Sequence, residues 1–349
     1  MTFNRQATRS DINLTTLLPL LKTVSRSFYL SIRILPYKAR GAICIAYLLA
    51  RAADSIADSD VQDKDLQIAL LSGIKHWLDN SDQQIIVLQE EQLLHLQLND
   101  HEHTLLTLLP DVFSAYKKIP EEEKLLVQQV VHTLIDGMLL DINTFAEKDS
   151  IKALNTFSEL DHYTYLVAGC VGEFWTKVLD LHYNKSLGWN TKKQIDNGIR
   201  FGKALQLTNI LRDIEKDAAI GRCYLPEEDL RSMDIDPDSL LKPGEGEERL
   251  QQDIIPKYID ITLEHYQHAE KYLLNTPRLA VRLRLASLWP IAIGLKTLSL
   301  LKKDKSSNPP QKIKRSEVYL LLSISPFLVL SNTLTQHYLN KLRGKLSGI

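Results

Sequence analysis

From Leu14 to about Leu301 apolar residues return every three or four positions, and this helical period limits the chain to a fold built from packed helices. It runs through Val24 to Leu35, Ala42 to Ala57, Leu66 to Leu78, Leu105 to Tyr116 and Glu121 to Phe145. It continues through Leu160 to Leu179, Ile195 to Ile214, Leu250 to Leu274 and Leu279 to Leu301. No stretch alternates with period two between turn residues, so no strand is predicted. Gly and Pro supply 14 and 13 of the 349 residues, fewer than an average chain holds, which also favours long helices and few turns. The fold class read from these patterns is all-α.

Breaks fall at Leu35-Pro36, Asp79 to Ser81, Leu109-Pro110, Ile119-Pro120, Gly188 to Thr191 and Pro237 to Glu247. They read as connectors within one bundle, so the expectation is a single domain over 1–349 with its core at about 17–330. Length alone would equally allow two domains. Residues 302–316 form a basic, low-complexity loop, and 317–342 form an apolar C-terminal helix. The longest apolar run, Val318 to Leu330, has 13 residues and contains Pro326. It falls short of the roughly 20 needed to cross a bilayer, so it reads as a buried or interfacial helix.

With 42 Lys+Arg against 43 Asp+Glu, the chain lacks the basic excess that nucleic-acid binding requires. Cys44, Cys170 and Cys223 have neither metal-ligand spacing nor the even count of a disulfide framework. No secretory signal is visible, and the expected location is cytoplasmic, with peripheral membrane contact allowed.

Chemistry concentrates in Gln206 to Asp217, QLTNILRDIEKD. On a helix, Asn209, Asp213 and Asp217 form an oxygen-bearing stripe that suits Mg²⁺. Asp54 and Asp58 repeat the i, i+4 carboxylate spacing in AYLLARAADSIAD. One such pair is ordinary on a solvated helix face. Two, each in an apolar helix where unpaired carboxylates are costly to desolvate, point to divalent cations and a diphosphate. Arg26, Arg51, Arg212 and Arg222 accompany them. Singly, each arginine is explained by a salt bridge; together they suit phosphate oxygens. Gly169 and Gly172 in YTYLVAGCVG imply close approach to a helix face, by another helix or by an apolar substrate tail. His265 and His268 have permissive metal spacing, but no third ligand is evident, and they read as exposed helix histidines. His101-Glu102-His103 reads as loop polarity.

The segments SRSFYLSIRILP, AYLLARAADSIAD, YTYLVAGCVG and QLTNILRDIEKDAAIGRCYLP resemble, in order and spacing, those of the squalene/phytoene synthase family. The likeness covers roughly Leu17 to Leu330 and is nearest the bacterial-type squalene synthases. It implies an isoprenoid-synthase helical bundle around a central cavity and Mg²⁺-dependent head-to-head joining of two prenyl diphosphates. Carried residue by residue, it makes Asp54, Asp58, Asn209, Asp213 and Asp217 the metal-binding face. Arg26, Arg51 and Arg212 match positions that contact diphosphate or reductant. Tyr47 and Tyr163 match tyrosines near the reacting carbons, Gln206 a cavity-lining amide, and Arg222 the start of a covering turn. Gly169 belongs to the motif beside the substrate. Lys312, Lys314 and Arg315 resemble a late basic patch used for NADPH or diphosphate. Ala57 departs from an acidic position common in eukaryotic members, and the C-terminal membrane anchor of those members is not expected here.

The reaction so implied joins two farnesyl diphosphates through presqualene diphosphate to squalene, with hydride from NADPH. Phytoene or dehydrosqualene synthesis, without reduction, is the alternative within the family. A catalytically silent partner protein is the alternative outside it. Oligomeric state is not legible.

Overall fold

The computed structural model describes residues 14–25, 28–59, 64–80, 96, 98–145, 150–240, 248–303 and 313–347. The chain packs as two compact units, residues 1–139 and 140–349.

In the first unit, α1 (Leu14–Val24) and α2 (Phe28–Ile34) lead into α3 (Tyr37–Ala57), the helix against which α1, α4 (Lys64–Asp79), α5 (Asp100–Thr107) and α6 (Leu109–Lys118) pack. Pro36 fixes the chain just before α3, where its missing N–H costs nothing. Ala39, Ala42, Ala46, Ala52 and Ala53 keep the buried faces of α3 small enough for close approach of its neighbours. Trp77 of α4 anchors the far side, with its ring 3.9 Å from Phe113 and 5.8 Å from Tyr116 of α6. The break expected at Leu109-Pro110 divides the helical stretch from Leu105 to Tyr116 between α5 and α6. Pro110 stands in the first turn of α6, where its ring favours a fresh start, and α5 ends at Leu108. His101, Glu102 and His103 lie on α5 rather than in a loop. Asn99 caps that helix, accepting from the backbone N–H of His101 and Glu102 at 3.0 and 3.1 Å.

Helix α7 (Glu121–Thr144) carries the chain into the second unit. There α8 (Phe157–Thr164), a π-turn over Tyr165–Gly169 and α9 (Cys170–Leu187) run in series. They pack on α10 (Thr191–Ala218), which α12 (Ile255–Asn275) and α13 (Val281–Lys303) also contact. Between α10 and α12, the Gln194 amide donates to the Tyr272 carbonyl at 3.0 Å, and the Thr208 and Tyr266 hydroxyls lie 3.0 Å apart. His265 is buried on α12, against the expectation of an exposed residue, because α12 turns that face toward α10. Desolvation, with Arg200 and Lys203 nearby, lowers its pKa to about 4.

Two short strands lie outside the helical reading. β1 (Lys152–Leu154) pairs in parallel with β2 (Arg222–Pro226), Lys152 opposite Arg222. Short α11 (Glu227–Ser232) follows β2 directly.

The C-terminal helix also divides, into α14 (Arg315–Leu328) and α15 (Asn332–Ser347). Pro326 fits the last turn of α14, where the Ser325 hydroxyl donates to the Leu322 carbonyl that proline leaves unbonded. Ser331 then starts α15, its hydroxyl accepting from the Leu334 N–H at 3.3 Å. Helical structure reaches Lys303 and resumes at Arg315, inside the expected basic loop. All three cysteines are free and buried.

Candidate active site

The first acidic cluster is built on α3. Almost every side chain of this helix after Ala42 is buried, except along one stripe that carries Tyr47, Arg51, Asp54 and, at the C-cap, Asp58. Arg51 is ion-paired to Asp54 one turn on, and its second nitrogen reaches Glu102 of α5 at 2.7 Å. Glu102 also accepts from the Asn99 N–H, so the cap of α5 and the arginine share one carboxylate. Asp54 keeps 43% of its side-chain surface accessible yet sits deep in surrounding protein. That desolvation, reinforced by Asp58, lifts its carboxyl to about 6, while Arg51 pulls the other way. Burial also raises the Tyr47 phenol. The Tyr47 ring stands 5.8 Å from Phe28. Arg26 lies outside the described residues.

The second cluster is built on α10. Gln206, Asn209, Asp213 and Asp217 are half-buried on one side of a helix whose other faces are filled by Leu207, Ile210 and Leu211. Arg212 grips its neighbour Asp213 with two bonds, of 3.0 and 2.5 Å. Burial, then Asp213, and further Asp141 raise the Asp217 carboxyl to about 7, against the pull of Lys216 and Arg222.

Asp141 on α7 had no prominence in the sequence, and it organises this end of the second unit. Its two oxygens accept from Arg222 at 2.6 Å and from the Tyr224 hydroxyl at 2.8 Å. Strand pairing with β1 sets β2 in place, and Gly221, at φ 79°, supplies the left-handed turn just before Arg222. The Tyr224 ring then stacks on Tyr163 at 4.8 Å and meets the edge of Phe145 at 5.2 Å. Burial, followed by Tyr224 and Asp141, holds the Tyr163 phenol well above its ordinary range.

Gly169 and Gly172 face α10. A Cβ at Gly172 would lie 1.8 Å from the Gly198 carbonyl oxygen, and one at Gly202 would lie 2.1 Å from that of Ala168. Of the two readings of the glycine face, the structure therefore gives helix-on-helix packing, and Gly169 meets Tyr165 and Ile199. Lys314 caps the start of α14, where Arg315 begins the helix; both are exposed. Lys312 lies outside the described residues.

The residues that could hold a divalent cation are oxygen donors only: Asp54 and Asp58 in one cluster, Asn209, Asp213 and Asp217 in the other. Asp58 raises the pKa of Asp54, and Asp213 that of Asp217, a crowding of hard donors that a cation would relieve. Among the described residues, no three His, Cys, Asp or Glu converge on a preassembled metal cage.

The described helices include one aspartate-bearing helix in each unit, α3 in the first and α10 in the second. A solved ligand complex of TcSQS superposes with a TM-score of 0.76 over 97% of this chain and 92% of that one, at 22% identity, a likeness of fold. The sequence profile of squalene/phytoene synthases matches residues 21–318, and the chain belongs to that family. The presqualene diphosphate synthase of Zymomonas mobilis subsp. mobilis is 29% identical over 313 residues, 86% of this chain and 88% of its own. The bifunctional lycopene cyclase/phytoene synthase of Pyrenophora tritici-repentis is 31% identical over 225 residues. That match takes in 64% of this chain and 36% of the longer fungal protein.

Proposed function

We propose that the chain is a prenyltransferase that joins two farnesyl diphosphates head to head into presqualene diphosphate and carries this on to squalene with NADPH. The observation that supports it best is the pair of carboxylate clusters, each with an arginine and a tyrosine beside it, on a chain of this family.

Asp54, Asp58, Asn209, Asp213 and Asp217 would hold Mg²⁺. When bound, the ions neutralise diphosphate and make it a better leaving group. The arginines keep the same role at fixed positions, since Arg51 is steered by Glu102 and Arg222 by Asp141. Departure of one diphosphate leaves an allylic cation on the first farnesyl chain. The double bond of the second chain attacks it, a proton leaves, and the cyclopropane closes. Tyr163 and Tyr47 stay protonated at neutral pH because burial raises both phenols, so neither is suited to take that proton. The released diphosphate is the better base. The stacked faces of Tyr163 and Tyr224 offer instead a water-excluding, electron-rich wall for a carbocation. In the second stage the remaining diphosphate departs and a hydride is accepted. Lys314, Arg315 and Lys312 are the candidates for the reductant's phosphates.

The Zymomonas relative's name favours a second reading, in which the chain stops at presqualene diphosphate. Incubation of the purified protein with farnesyl diphosphate and Mg²⁺, with and without NADPH, followed by mass spectrometry, separates the two. Squalene formed only with NADPH supports the first. Presqualene diphosphate in both tubes supports the second. Dehydrosqualene in both, or turnover of the C20 substrate alone, overturns both.

A further inference from the structure

Helix α14 turns an apolar face outward. Its buried side is Leu321 and Ser325, and the Trp289 indole N–H donates to the Ser325 hydroxyl at 2.9 Å. A surface helix ordinarily carries polar residues on the opposite side. Here Tyr319 is 66% exposed, Leu320 59% and Phe327 72%, with Leu330 at 52% and Leu334 at 51% just beyond. Tyr319, Ser323, Pro326, Phe327 and Leu330 follow i, i+4, i+7, i+8 and i+11, so they form one stripe rather than scattered positions. Contiguous exposed apolar surface of this kind marks an interaction site.

Charge indicates the occupant. From Lys302 to Ile349 the sequence holds nine Lys and Arg against two Asp and Glu, a formal +7 in a chain whose net charge is −1. The one acid of α14, Glu317, is engaged by Lys296 at 3.4 Å and by the Lys314 backbone N–H at 3.3 Å. Lys314, Arg315 and Lys341 are exposed. Pairing with a second copy through this face would bring two strongly basic segments together. A bilayer with anionic headgroups offers both the opposite charge and an apolar layer. The 14 residues of α14 and the 16 of α15 are each too few to span one, so the contact lies along the surface.

We propose that α14 and the start of α15 dock on an anionic lipid surface, with Tyr319, Leu320, Phe327 and Leu330 entering the acyl boundary and Lys341 meeting headgroups. The proposal stands independently of the reaction.

The test is sedimentation of the full-length protein with two kinds of vesicle: phosphatidylcholine alone, and equal parts phosphatidylcholine and phosphatidylglycerol. Binding to the mixed vesicles is expected, about tenfold weaker to phosphatidylcholine alone and weakened by salt. Leu320→Ser combined with Phe327→Ser should lower binding by about tenfold or more. Lys341→Gln, which removes one charge, should lower it about fivefold. Circular dichroism and the unfolding temperature should match the parent, and Tyr319→Ser replaces the double variant if that one does not fold. A folded parent that ignores mixed vesicles, variants that bind as the parent does, or a dimer that Phe327→Ser dissolves without any lipid binding would each overturn the proposal.

Discussion

Arg222 donates to Asp141 across 2.6 Å, and the second oxygen of the same carboxylate accepts from Tyr224 two residues further along β2. One side chain of α7 thus fixes both a cation and an aromatic ring of the second cluster. Charged hydrogen bonds of this kind contribute roughly 1.5–3 kcal/mol each. Asp141→Asn keeps the shape but loses the charge that orients Arg222, and turnover should fall about 10- to 100-fold. Steady-state rates with farnesyl diphosphate, beside the unfolding temperature, check this. Unchanged kcat would remove Asp141 from the positioning of Arg222.

Asp54 and Asp213 are offered as metal-binding carboxylates held in crowded, partly desolvated positions. Such clusters serve function at the expense of stability, because Asp58 disfavours the charge of Asp54 and Asp213 that of Asp217. Asp54→Ala and Asp213→Ala should abolish turnover while leaving the unfolding temperature equal to the parent's or above it. Retained activity in either variant would take that residue out of the metal site.

Both aspartate helices were legible because i, i+4 carboxylates on an otherwise apolar helix demand an explanation from sequence alone. Glu102 and Asp141 were not. Neither has a second carboxylate four residues away to mark it, and each finds its arginine, Arg51 or Arg222, 51 or 81 residues away in the chain. Only tertiary packing creates those pairs. β1 and β2 escaped for a related reason: strands of three and five residues, paired in parallel across some 70 residues, leave no alternation to read. The glycine face was legible as a close approach, but its partner was not, because Gly198 and Gly202 sit on a different helix.

The raised Asp217 carboxyl, at about 7, has a definite sign. Its folded pKa exceeds the unfolded value near 4, so the folded state holds the proton more tightly, and the group works against stability as pH rises from about 4 to about 7. A cation that needs the ionised form reverses this. Mg²⁺ should therefore raise the unfolding temperature more at pH 8 than at pH 5.5, and Asp217→Asn should shrink that difference. Calorimetry with and without Mg²⁺ reads it directly; an equal Mg²⁺ effect at both pH values would contradict the assignment.

His265 carries the opposite sign. Desolvation, then Arg200 and Lys203, lower its pKa to about 4, below the unfolded value near 6.5. Its contribution is fully present above pH 6.5 and is lost as pH falls toward 4, where the buried ring is made to accept a charge. The imidazole should remain neutral by ¹⁵N NMR at pH 5.5, and His265→Gln should flatten the acid side of the stability profile. A protonated ring at that pH would show that this face of α12 is open to water.

The contact between α9 and α10 allows a prediction about packing alone. At Gly172 a Cβ would stand 1.8 Å from the Gly198 carbonyl oxygen, a backbone atom that cannot move aside as a side chain does. The Gly198 side is as tight, its own Cβ position lying 2.7 Å from the Gly172 carbonyl oxygen and from the Thr176 hydroxyl. Alanine ordinarily stabilises a helix by roughly 1 kcal/mol over glycine, so local propensity and tertiary packing pull in opposite directions here. Overpacking of a rigid contact costs about 1–3 kcal/mol and sometimes more, so packing should win and Gly172→Ala should destabilise the fold by about 2 kcal/mol or more. Gly344, with nothing within 4 Å of its Cβ position, serves as the control, and alanine there should be neutral or mildly stabilising. Denaturant unfolding of the two variants side by side decides the matter, and a Gly172→Ala protein as stable as the parent would mean that the two helices can part without loss.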